Sequence, residues 1–107
     1  MEKRDAKFVN SVANELPELF TELDALMRRL DEQIVEGTGE QDASLDRIES
    51  VWQVAEQQIR AADPDDLFPF EQAITLVRSG VERRRPADAS KGYKLLVAAV
   101  AEYDAPA

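Results

Sequence analysis

Histidine and cysteine are both absent from this 107-residue chain, and with them go the side chains on which most zinc sites, nucleophilic triads and disulfide frameworks depend. Di-iron bundles of the ferritin type need Glu-x-x-His pairs and are excluded in their usual form. None of Ser11, Ser44, Ser50, Ser79 and Ser90 lies in a G-x-S-x-G setting, and there is no glycine-rich phosphate loop. Glycine (4) and proline (5) are scarce while apolar residues make up 44% of the chain, which excludes fibrous and disordered classes. No apolar run approaches the roughly 18 residues that a membrane span needs, and Met1-Glu2-Lys3-Arg4-Asp5 leads into an amphipathic stretch without a leader pattern. With no cysteine to oxidise, the expectation is a cytoplasmic protein with no membrane segment and no cofactor.

Basic side chains are also in deficit, 13 against 22 acidic, for a formal charge of −9. Such a surface repels phosphate backbones, so direct nucleic-acid binding is not expected. Residues 1–44 carry five basic and eleven acidic side chains (net −6), and residues 45–107 carry eight and eleven (net −3). The plainer reading of that acidity is solubility, and an acidic N-terminal part would also complement a basic partner protein.

Helical periodicity is abundant. Apolar residues recur at spacings of three and four in four successive segments, which places each set on one side of a helix. Leu16, Leu19, Leu23, Leu26 and Leu30 form one seam, and Leu45, Ile48, Trp52, Ala55 and Ile59 a second. Leu67, Phe70, Ile74, Val77 and Val81 form a third, and Tyr93, Val97 and Val100 begin a fourth. The pattern predicts an all-α, up-down bundle of four helices forming a single domain over residues 1–107. The first helix is expected over 5–36, long and kinked near Pro17, because the apolar phase continues across that proline; the alternative is a new helix with Pro17 in its first turn. Gly37-Thr38-Gly39 and the polar cluster after it predict a linker, with Ser44 capping a second helix over 45–62. Asp63-Pro64-Asp65-Asp66 predicts a turn into a third helix over 67–84, and Ser90 the cap of a fourth over 91–103.

Carboxylates are the only metal ligands available, which suits magnesium, calcium or manganese. Glu15 and Glu18 form an E-x-x-E pair on the first helix, and Asp46 and Glu49 a second pair on the next. Two such pairs on facing helices resemble the all-α nucleotide pyrophosphohydrolases of the MazG kind, and that resemblance implies magnesium-dependent hydrolysis of a nucleoside triphosphate. The family's second pair is E-x-x-D, the reverse of the order here, and Pro17 interrupts the first. The plainer reading is solvated helix faces with ion pairs three and four residues apart. Asp63, Asp65 and Asp66 lack the glycine and distal glutamate of an EF-hand loop and read as turn chemistry. Arg83-Arg84-Arg85, with Arg78 before them, could seat a phosphate or an acidic partner, and the plainer reading is a charge device at a helix C-terminus. Arg28 and Arg29 lie among Asp24, Asp31 and Glu32 and should be paired locally, and Trp52 should be core.

The fourth helix is apolar nearly all round, so it is either enclosed by the other three or meets a second chain. The function expected is a non-enzymatic adaptor, chaperone, immunity or regulatory module. It would bind another protein through an exposed helix face carrying Leu95, Ala98, Ala99 and Glu102. A homodimer built on that helix is the alternative.

Overall fold

A computed structural model describes residues 15–104 of the chain. The described residues form α1 (Leu16–Arg28), α2 (Leu30–Glu36), α3 (Glu40–Ala62), a 3-10 turn (Pro64–Asp66), α4 (Leu67–Glu82) and α5 (Pro86–Asp104). Segments α1 and α2 make one helix over 16–36 with a bend of 32°, and the whole is an up-down bundle of four helices. Around the bundle the order is α1, α3, α4, α5, with α5 returning to α1.

The long first helix is bent where its hydrogen bonding lapses at Arg29 (φ −102°, ψ 2°) rather than at Pro17. Glu15 is extended (φ −82°, ψ 156°), and Pro17 lies in the first turn of α1, where its missing N–H costs no intrahelical bond. The part of the expected helix before Glu15 lies outside the described residues. The linker is also shorter than expected. Gly37 (φ 65°) ends α2 and Gly39 (φ 98°) precedes α3, both left-handed, and α3 starts at Glu40 rather than after Ser44. Glu40 and Asp42, which look like turn residues in the sequence, occupy the first turn of α3, where the helix dipole favours anions. The Gly39 N–H donates to Gln41 Oε1 at 3.1 Å. Ser44, inside the helix, donates to Gln33 Oε1 of α2 at 2.7 Å.

The second and third seams are buried in full; of the first, Leu19, Leu23 and Leu30 are buried together with Phe20 and Met27, and Leu16 and Leu26 lie at the margin. At its centre Phe70 stacks on Phe20 (centroids 5.3 Å apart, planes 10° apart) and lies against Trp52 at 5.9 Å. Tyr103 meets Phe20 and Phe70 edge-on at 5.8 and 6.1 Å, and its hydroxyl donates to Asp63 at 3.1 Å. Phe20 comes from α1 and Phe70 from α4, the two helices on opposite sides of the ring, so the aromatic cluster ties the bundle across its middle.

The fourth seam is a correction. The buried residues of α5 are Ala89, Gly92, Leu96 and Ala99, whereas Val97 is 43% exposed. Tyr93 and Val100 sit at the margins of the core. The cause is the closeness of α4 and α5. A Cβ on Gly80 would lie 2.8 Å from the Ala89 nitrogen, and one on Gly92 would lie 2.9 Å from the Ala73 carbonyl oxygen. Only the side of α5 bearing its smallest residues can approach α4 this closely, so that side turns inward. Ser90 is no cap either, because α5 already begins at Pro86. Its hydroxyl instead donates to Asp31 at 2.9 Å and ties α5 to α2.

The turn between α4 and α5 is a Schellman motif in which the Arg85 N–H donates to the Gly80 carbonyl (2.8 Å) and the Arg84 N–H to that of Val81 (3.4 Å). Arg84 takes the left-handed position (φ 54°) usually held by glycine. A side chain there costs about 1 kcal/mol. Arg84→Gly should therefore stabilise the protein by about 0.5–1 kcal/mol, read as a higher urea midpoint with an unchanged slope. A lower midpoint would refute this account of the turn.

Candidate functional site

The α4–α5 hairpin carries an open apolar surface. Phe68, in the first turn of α4, is 63% exposed although its neighbours Leu67 and Phe70 are buried. From Phe68 a groove of about 850 Å³ passes along the outer side of α4 by Gln72 and Leu76, bounded by Trp52 of α3 on one side and Lys91 and Leu95 of α5 on the other. Leu95 is half-buried, Ala98 and Glu102 are exposed, and Ala99 is buried at 5%. Of the four residues expected to bind a partner, three are thus reachable from solvent, while Ala99 belongs to the core. The four apolar seams of the sequence do not single out Phe68. Its signal is its position one residue out of phase with the third seam, where a large aromatic has no reason to be if the helix only serves the core.

A second groove, about 560 Å³, runs between α1 and α5 past Pro17, Phe20, Thr21, Leu96, Val97 and Val100. Its polar end is closed. Arg28 pairs with Asp24, its Nε donates to the Tyr93 hydroxyl at 3.4 Å, and that hydroxyl donates to Asp24 at 3.3 Å. The Tyr93 oxygen, and then Asp24, hold the Arg28 guanidinium above its ordinary pKa.

Charge is partitioned between the helices. Residues 15–66 carry fifteen acidic and four basic side chains (net −11), and residues 67–104 carry five and six (net +1). The acidic surface therefore belongs to α1, α2 and α3, and the α4–α5 face is close to neutral. Arg83, Arg84 and Arg85 are exposed at the turn end of that face, and Asp65, Asp66 and Glu102 at the other.

Glu18 and Glu49, one from each candidate pair, have structural partners. The Glu15 N–H donates to Glu18 Oε1 at 3.3 Å, one arm of a capping box at the start of α1. Glu49 accepts from Arg78 at 2.7 Å, joining α3 to α4 and engaging the arginine that preceded the basic cluster. Glu22 accepts from Arg47 at 2.6 Å, joining α1 to α3. Among the described residues no group of three or more carboxylates comes together in a way that could hold a metal ion. No helix of the described residues is long and apolar enough to cross a membrane.

Comparison with protein families, with curated proteins and with solved structures finds no match to this chain.

Proposed function

We propose that this protein is a non-enzymatic interaction module that engages another protein through the apolar face of α4 and α5, with its acidic surface favouring a basic partner. An adaptor, chaperone, immunity or regulatory role is consistent with that reading, and a cytoplasmic setting, suggested by the cysteine-free sequence, is part of the proposal. The observation that carries it is Phe68, a large aromatic left 63% exposed beside Leu76, Leu95 and the edge of Trp52 in one groove. Isolated exposed apolar residues are ordinary, but an aromatic continuous with other apolar side chains marks a contact surface. Aromatic anchors at the centre of such surfaces carry a large share of binding energy.

The test is affinity capture from the native organism with three variants of the full chain. Phe68→Asp and Leu95→Asp should lose the captured partner, while Val54→Asp, on an exposed part of α3 outside the groove, should keep it. Capture should also weaken as salt rises if acidic residues steer the encounter. Equal capture by all three variants would refute the reading.

A further inference from the structure

We infer that the α4–α5 face is occupied by a second copy of this chain, docked about a two-fold axis that sets α5 antiparallel against its counterpart. The inference rests on the reading above that this face is a contact surface, and it names the occupant. Along α5 the residues Lys91, Leu95, Ala98 and Glu102 follow one another at intervals of four, three and four, a single stripe on one side of the helix. Lys91, Ala98 and Glu102 are exposed and Leu95 is half-buried. The stripe is symmetric about the midpoint between Leu96 and Val97. Two antiparallel copies related by a two-fold axis through that point place Lys91 opposite the second copy's Glu102, and Leu95 opposite the second copy's Ala98. Opposite charges thus meet at both ends, and a large apolar side chain meets a small one twice at the centre. This is the self-complementarity that an isologous interface requires.

The same polarity is repeated on a larger scale. The turn end of the hairpin carries Arg83, Arg84 and Arg85, while Asp66 lines a small cleft with Glu102 at the opposite end. Antiparallel docking turns each basic end towards the acidic end of the other copy, and parallel docking would set like beside like, so the charge pattern favours the antiparallel orientation. The wider charge partition points the same way. Two chains of charge −9 repel each other through α1, α2 and α3, and the nearly neutral hairpin is the side on which they can meet. Phe68 extends the apolar centre along α4, and Lys91 and Glu102 supply a charged rim, an ordinary division of an interface.

Light scattering after gel filtration of the full chain over a range of concentrations tests this directly. The expected mass is twice the 12.0 kDa of one chain, and Leu95→Asp should return it to that of a single chain with unchanged circular dichroism. By symmetry each charge substitution is felt at two places. Lys91→Glu and Glu102→Lys should therefore each weaken dimerisation about tenfold or more, and the double variant should restore it. A monomer at high micromolar concentration overturns the inference, as does a dimer indifferent to Leu95→Asp or one that the double exchange fails to restore. If the chain is monomeric but Leu95→Asp still abolishes capture of a different protein, the contact face stands and only its assignment to a second copy falls. If neither mass nor capture responds to Leu95→Asp, both fall.

Discussion

Phe70→Ala should lower stability by about 3–5 kcal/mol, a fall in Tm of roughly 15–30 °C for a domain of this size. Phe70 is 1% exposed, and three aromatic rings pack around it at centroid distances of 5.3, 5.9 and 6.1 Å. Truncation removes the burial of a whole ring and leaves a cavity that rigid neighbours cannot close. It also removes the aromatic contacts that link α1, α3 and α5 to α4. Since small domains have only about 5–15 kcal/mol in hand, this one change consumes a large share of the total. The informative control is two residues away. Phe68→Ala, at a position outside the core of the single chain, should change the stability of the monomeric Leu95→Asp protein by no more than about 0.5 kcal/mol. Urea unfolding followed by circular dichroism measures both, and similar losses at the two positions would contradict the phase of α4 described above.

Gly80→Ala should destabilise by about 1–2 kcal/mol, reversing the usual sign of that substitution. Inside a helix, alanine is ordinarily favoured over glycine by about 1 kcal/mol. Here the added carbon would lie 2.8 Å from the Ala89 nitrogen and 3.0 Å from the Arg85 carbonyl oxygen, both backbone atoms that cannot rotate away. Forcing α4 and α5 apart costs about 1–3 kcal/mol, and the loss is transmitted through the contacts the two helices share. Gly92→Ala should also destabilise, but by a partly reversible route. Its new carbon would meet Val77 Cγ2 at 2.7 Å as well as the Ala73 carbonyl oxygen at 2.9 Å, so Val77→Ala should recover part of the loss at Gly92 and none at Gly80. Thermal denaturation of the single and double variants separates the cases. A more stable Gly80→Ala protein would show that the helices are not in backbone contact there.

These two predictions mark where the sequence speaks plainly and where it does not. Seams built from large apolar side chains, such as Leu45 to Ile59 on α3 and Leu67 to Val81 on α4, are buried as their spacing predicts, because a Leu, Ile or Phe gains from burial wherever its helix docks. The turn at Asp63-Pro64 is equally local, since proline fixes its own backbone and aspartate supports the turn. The candidate face was partly legible. Leu95, Ala98 and Glu102 stand out as an outer stripe of a helix too apolar for the surface, but Phe68 reads as one more member of an apolar run until the third seam is given its phase.

The amino-acid sequence by itself determined four helices, the breaks at Gly37–Gly39 and Asp63–Pro64, most of the core and an acidic composition without histidine or cysteine chemistry, because each depends on residues within a few positions of one another. The tertiary structure alone decided which side of α5 faces inward, where the first helix bends and which carboxylates are taken up by Arg47 and Arg78. The physical reason is that α5 offers two apolar sides of similar hydrophobicity. The choice went to the one carrying Ala89, Gly92 and Ala99, whose merit is its lack of volume, and lack of volume has worth only when another helix is present to come close.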